Sequence, residues 1–370
     1  MIFNRPDIIC SFKKFLRRDR HRKINVAQQW SRMVSRVKKL VERLQIPREI
    51  SKQLDIIVLP IGHQIMLMIC FENLSPHFKY VDLKFPVYYW NVYGTVNTTR
   101  IEELIVQDVN NDIYFRFVLA CNNCFKRAID KLFGLLTDQQ KDTFRDSVER
   151  RHLSSYWTYR LSRDLPTFME LISHDEINRP PPNGYSAHQF AFLYTLVNGS
   201  KSGIEYFMNY LRPDEYEVVL ENHAHYLTVQ CSIISVFTDD LRPRSNLEYV
   251  DALYFLLSKL NEEQRSKILH KYSFRILNCF LRYPFYGVFN TYANTSVSNL
   301  ATQDIVSLLK YIFSLEVSYT YMFDLELFNN LWNNCTKTQN ELVISYLNSR
   351  RSEPEMQSLL DRIKTAVRNR

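Results

Sequence analysis

The 370-residue chain carries 47 Lys and Arg against 39 Asp and Glu, a formal net charge of +8, and 46% of its residues are hydrophobic. That length and apolar content are enough for a large core or several domains. Glycine, at only 7 residues, is too scarce for many phosphate-cradling loops, tight β-hairpins or βα crossovers, which need positive φ or close backbone approach. Helices joined by polar turns are the expectation.

The chain opens with its most uneven charge. Residues 12–43 hold 12 Lys and Arg against Asp19 and Glu42, a local net of +10 in a chain of +8. Basicity is therefore an N-terminal feature. Lys13, Lys14, Arg17, Arg18, Arg20, Arg22 and Lys23 form a dense block of the kind read as a nuclear-import or nucleic-acid patch. From Trp30 to Leu44, the residues Trp30, Val34, Val37, Leu40, Val41 and Leu44 share one helical side, with Arg32, Arg36, Lys38, Lys39 and Arg43 largely opposite. Three readings stay open: a basic helix capping a helical array, contact with nucleic acid or an acidic partner, and adhesion to a membrane surface. Residues 1–45 are set apart as a basic N-terminal helical segment.

No continuous apolar run precedes the first charges, so no signal peptide is expected. The stretch Leu54 to Leu74 is interrupted by Asp55, Pro60, His63, Gln64 and Glu72, and a spanning helix needs about 20 apolar residues. No transmembrane segment is expected. With seven scattered cysteines, the expectation is an intracellular protein, cytoplasmic or nuclear, with reduced thiols. Residues 76–94, rich in aromatics and holding two prolines, read equally as a short strand pair or an extended loop.

Amphipathic stripes then recur. Thr99-x-x-Glu102 opens a helix bearing Ile101, Leu104 and Ile105. Ile129, Leu132, Phe133 and Leu136 follow, ending in the capping box Thr137-x-x-Gln140. Leu165, Phe168, Met169 and Ile172 repeat the spacing. So do Ile204, Phe207, Met208 and Leu211, before Arg212-Pro213-Asp214-Glu215, where proline and acids suit a helix start. Leu253, Leu256, Leu257 and Leu260 precede Asn261-x-x-Gln264, and Ile305, Leu308, Leu309 and Ile312 complete the series. The stripes return at about 41 residues on average, within the range of two-helix solenoid units. A large all-α domain without strict repeats would show the same stripes. Sliding 117–136 by 75 positions onto 192–211 aligns Phe117 with Phe192, Asn123 with Asn198, Lys126 with Lys201, Ile129 with Ile204 and Leu136 with Leu211.

In the segment 183–211, Asn183-Gly184-x-Ser186 stands for a turn and helix start, Ala191 for a small inter-helix residue, and Asn198-Gly199 for the turn before a second helix ending Phe207 to Leu211. This segment resembles an ankyrin repeat. His188 and Gln189 occupy the place of the family's Leu-His pair, and the first helix is several residues longer. The resemblance implies a scaffold for protein partners and carries over no catalytic residue.

Chemical motifs are sparse. Cys121-x-x-Cys124 could place both thiols on one helix face toward a metal, but no second pair supplies two more ligands; in the 75-residue alignment these positions become Leu196 and Gly199. Cys121 is expected to pack, and Cys124 to be half-exposed near a turn. His223-Ala-His225 diverges by about 200° on a helix. No catalytic-serine, zinc-protease, phosphate-loop or dinucleotide signature occurs. No metal, cofactor or catalytic residue is assigned. The proline triplet in 174–185 marks a loop or hinge. Residues 283–292 read either as a core-lining loop or as an exposed patch in which Tyr283, Phe285, Tyr286 and Tyr292 meet a partner. Ser352-x-x-Glu355 opens a terminal helix bearing Met356, Leu359, Leu360, Ile363 and Val367, within a capping segment 349–370.

The sequence therefore predicts an all-α protein of stacked antiparallel helix pairs over 46–348, of α-solenoid or degenerate ankyrin-like type. The expected function is a non-enzymatic protein-interaction scaffold. A nucleic-acid-associated protein using residues 13–43 is the alternative, and an enzyme of unassigned class the third.

Overall fold

Helix-forming stripes this regular should meet their own kind, and among the described residues every regular element is a helix. A computed structural model describes residues 35–48, 50–51, 54, 97–146, 152–173, 184–232, 246–281, 284–314 and 325–368. The chain divides into two compact units, one holding the described residues 97–268 and the other 269–368 with 35–54. The stretch 46–348 thus spans both.

In the first unit α1 (Thr98–Gln107) begins where the Asn97 side chain accepts the Arg100 N–H at 3.1 Å, so Asn97 and not Thr99 is the cap. Its C-terminal carbonyls are met by side chains: Asn111 Nδ2 donates to Ile105 O at 3.1 Å and Arg116 Nε to Val106 O at 2.8 Å. A cation there also suits the negative end of the helix dipole.

Three helical hairpins follow. The first joins α2 (Ile113–Asn122) to α3 (Lys126–Leu135). After α4 (Asp138–Asp146), the second joins α5 (His152–Leu161) to α6 (Leu165–Ser173). The third joins α7 (Ala187–Asn198) to α8 (Lys201–Tyr210). All three turn the same way. Cys124, Arg163 and Gly199 sit at φ +52°, +60° and +62°. In each turn that residue's N–H reaches back three residues, to Cys121, Arg160 and Leu196. The next N–H reaches back five, to Ala120, Tyr159 and Thr195, at 2.9–3.0 Å. This is the left-handed termination that satisfies the last helical carbonyls. Counted from the turn, an aromatic ring stands seven residues before it (Phe117, Tyr156, Phe192) and an apolar residue five after it (Ile129, Phe168, Ile204), all six fully buried.

The turns lie 39 and 36 residues apart. The 75-residue alignment had therefore skipped the middle copy. Contacts between the hairpins are less uniform. Asn123, in the first turn, accepts from Ser200 and Ser202 at the start of α8 at 3.4 and 3.5 Å. The second hairpin instead lays Trp157 and Arg160 against Tyr206 and Tyr210 in the later half of α8.

The unit closes with α9 (Pro213–His223), α10 (His225–Ser232), α11 (Asn246–Lys259) and the start of α12 (Glu262–Phe280). The expected boxes form: Thr137 and Gln140 bond reciprocally, as do Asn261 and Gln264, and Glu215 accepts the Arg212 N–H.

In the second unit, Tyr286 to Tyr292 begin a helix and not a loop: α13 (Tyr286–Ser296) runs into a 3₁₀ turn at Val297–Asn299. Then come α14 (Thr302–Ser314), α15 (Leu325–Asn334), α16 (Lys337–Ser349) and α17 (Pro354–Arg368). Helix α13 packs on α15, and α14 packs on α16 and α17. Gln339 closes a capping box with Thr336 and also donates to Val297 O and Leu300 O at 3.1 and 3.0 Å, tying the α16 start to the 3₁₀ turn. The predicted stripes overshoot at both ends: Leu44 and Val367 are each 41% exposed.

Candidate interaction site

Position three before the hairpin turn is apolar and fully buried in two copies, Cys121 and Leu196. In the second copy it is Arg160. A charge at an apolar register position is a conflict between local and global rules, and such conflicts concentrate at functional sites.

The surrounding residues accommodate the charge with rings and phenol oxygens. Arg160 Nη1 donates to Tyr156 Oη at 3.0 Å and to Tyr206 Oη at 2.8 Å. Its guanidinium carbon lies 4.5 Å from the Tyr210 ring centre, 4.8 Å from Trp157, and 5.8 and 5.9 Å from Tyr206 and Tyr156. Each contact attracts the cation through the ring quadrupole. Burial alone would lower the guanidinium pKa, but the phenols of Tyr156, Tyr206 and Tyr210 overcome it and move it up, so the charge persists.

The cluster draws on three helices. Tyr156 and Trp157 lie in α5 and are fully buried; Tyr206 and the 45%-exposed Tyr210 lie one turn apart on α8, their rings stacked at 5.9 Å and 10°. His188, from the first turn of α7, lies between: Nδ1 is 2.8 Å from Tyr156 Oη, and Nε2 is 3.5 Å from Tyr210 Oη. Tyr156 Oη also accepts from Arg160 Nη1, so Arg160, Tyr156 and His188 form one chain of polar contacts that ends at the Tyr210 hydroxyl. Burial, followed by the Arg160 charge, moves the His188 pKa down against a weaker pull from Glu215, which fits a neutral ring. The Tyr156 pKa is raised, chiefly by burial.

Beneath the cluster sit the two cysteines. Cys121 is fully buried and Cys124 is 5% exposed, so Cys124 is not the half-exposed residue expected. Its left-handed turn folds the side chain inward, where burial pushes its pKa up to about 12 despite the nearby Trp157 N–H and Arg160. Among the described residues, no three His, Cys, Asp or Glu side chains group as metal ligands.

The other expected sites fall elsewhere. Lys13, Lys14, Arg17, Arg18, Arg20, Arg22, Lys23 and Arg32 lie outside the described residues, as does Tyr283. Arg36 and Lys39 are exposed and Lys38 half-buried, beside Val37 and Val41 at 1% and 2%. Phe285 is in the core at 3% exposure, the Tyr286 hydroxyl is buried, and Tyr292 stacks on Phe280 at 5.6 Å. Phe285 is thus a packing residue, while Tyr286 and Tyr292 are half-buried. The break at Ala224 between α9 and α10 brings the His223 and His225 rings to 6.3 Å.

The second unit has its own cleft of about 760 Å³ along α15 and α16, lined by Trp332, Cys335, Asn340 and Ile344. Its charges, Lys337 and Glu341, already approach one another at 4.0 Å. The Arg160 cluster is the better candidate because its charge has no carboxylate partner among the described residues.

Sequence reasoning missed this cluster. The signal was available: 156-YWTYRL-161 puts an arginine where the repeat register calls for a buried apolar side chain, and Tyr206 and Tyr210 repeat at i, i+4. The chain matches no protein-family model, no curated protein and no solved structure.

Proposed function

We propose that the chain is a non-catalytic interaction scaffold that holds a protein or peptide partner on the surface of its helical hairpins. The observation that carries this reading is the recurrence of one hairpin turn, at Cys124, Arg163 and Gly199, with the same buried positions around it, as in repeat architectures that bind on an extended surface. On that surface, at the α5–α8 contact, Tyr210 is 45% exposed and stacked beside Tyr206. Aromatic and arginine side chains are the groups that most often anchor interfaces. The ankyrin-like character of 183–211 belongs to the same proposal. It is supported by a helix starting at Ser186, by Ala191 at 1% exposure and by a turn at Gly199.

The test is photocrosslinking of the full chain, in the cells that express it, with a photoreactive phenylalanine analogue at Tyr210. A discrete protein adduct at Tyr210, absent when the analogue replaces the exposed Leu342, is expected. Indiscriminate adducts at both positions, or none at either, would overturn the reading.

A further inference from the structure

We propose that Arg160 is a carboxylate-reading site, receiving an acidic side chain of the protein partner on its uncommitted edge. This rests on the scaffold reading and names the chemistry the partner brings.

The guanidinium has five donors in a planar fork. The Nη1 donors are committed, to Tyr156 Oη at 3.0 Å and Tyr206 Oη at 2.8 Å. Nε and Nη2 make no hydrogen bond among the described residues, yet neither is sealed from solvent. The ring centre nearest the guanidinium carbon, at 4.5 Å, is that of the 45%-exposed Tyr210. What remains open is therefore the edge of the fork whose two N–H bonds run parallel, with no carboxylate of the described residues within pairing distance.

A carboxylate matches that edge. It is planar, and it accepts two parallel N–H bonds side-on. Charge balance favours it over a phosphate. One guanidinium offsets one negative charge, whereas a phosphate dianion would leave a surplus charge among three phenol oxygens. His188 does not supply a second cation, since burial and Arg160 hold its pKa down against the weaker pull of Glu215 on α9. Lysine would not serve as well, because its point charge lacks the fork.

The direct readout is the Arg160 Nε–H resonance of the full-length ¹⁵N-arginine-labelled protein, assigned by its loss in R160K. Hexaglutamate peptide is expected to shift this resonance, and hexaglutamine peptide to leave it unmoved. A shift by inorganic phosphate as large as that by hexaglutamate would overturn the choice of carboxylate. No shift with either anion would overturn the site. In parallel, fluorescence polarisation of labelled hexaglutamate is expected to weaken roughly ten- to hundredfold in R160Q, and less in R160K, as for loss of a charge-assisted bidentate pair. Equal binding by wild type, R160K and R160Q would assign the peptide to other basic residues and sink the proposal. The two readings separate cleanly. A Tyr210 adduct unchanged in R160Q would keep the scaffold and overturn the carboxylate site; an Arg160 shift without any cellular adduct would do the reverse.

Discussion

At the residue scale, three hairpin turns demand the same left-handed backbone and only one has glycine there. Non-glycine residues spend about 1–2 kcal/mol in that region, against a smaller entropic cost for glycine. Arg163, exposed at φ +60°, is thus strained without compensating burial. Substituting R163G is expected to raise stability by about 0.5–1 kcal/mol, seen as a higher urea midpoint with unchanged slope. At Gly199 the sign reverses. A Cβ there would lie 2.6 Å from the Tyr249 ring as well as at φ +62°, so G199A is expected to cost about 2–4 kcal/mol by the same measurement. His188 makes a pH prediction. Its pKa is lowered by burial, then by Arg160, so below about pH 6.5 the unfolded chain takes up the proton first. Stability should fall as pH drops through that range and level off below the folded value; H188N should flatten this slope. Buried thiols give the third residue-scale outcome. With its pKa near 12, Cys124 should resist iodoacetamide at neutral pH in the folded chain and react after denaturation, as mapped by mass spectrometry.

At the element scale, the hairpins are specified by a few positions counted from the turn. The ring seven residues before it is fully buried in every copy, and F117A or F192A should each cost about 3–5 kcal/mol in the unfolding equilibrium. Most stripes read from sequence became buried faces because helical periodicity reports burial directly. Leu253, Leu256, Leu257, Ile305, Leu308, Leu309 and Ile312 are all fully buried. Where the reading failed, local signals had competed. Asn97, two residues before the stretch read as Thr99-x-x-Glu102, took the cap because its side-chain oxygen reaches the Arg100 N–H. Residues 283–292 read as loop or patch for their aromatics, proline and glycine, but from Tyr286 onward Phe289 and Ala293 on one face supply a core stripe for α13. The middle hairpin escaped the 75-residue comparison because its register carries Tyr156 and Arg160 where its neighbours carry Phe and an apolar side chain.

For the whole molecule, the basic segment supplies the test that separates scaffold from nucleic-acid binder. Removing residues 1–44 should leave the Tyr210 crosslink intact and lower any salt-sensitive binding to duplex DNA; loss of the crosslink in the truncated chain would count against the scaffold. The sequence by itself determined that the chain is helical, where most helices start and which faces are buried, because capping and periodicity act within about four residues. It also placed Cys121 in the packing, whereas Cys124, expected half-exposed, is buried as well. Only the tertiary structure decided what surrounds Arg160. His188 and Tyr206 lie 28 and 46 positions away along the chain and come from separate helices, so no local rule could bring them to one cation. The same long-range packing set how each hairpin meets the next, since the energy of a contact between helices depends on side chains that no single periodic stretch contains.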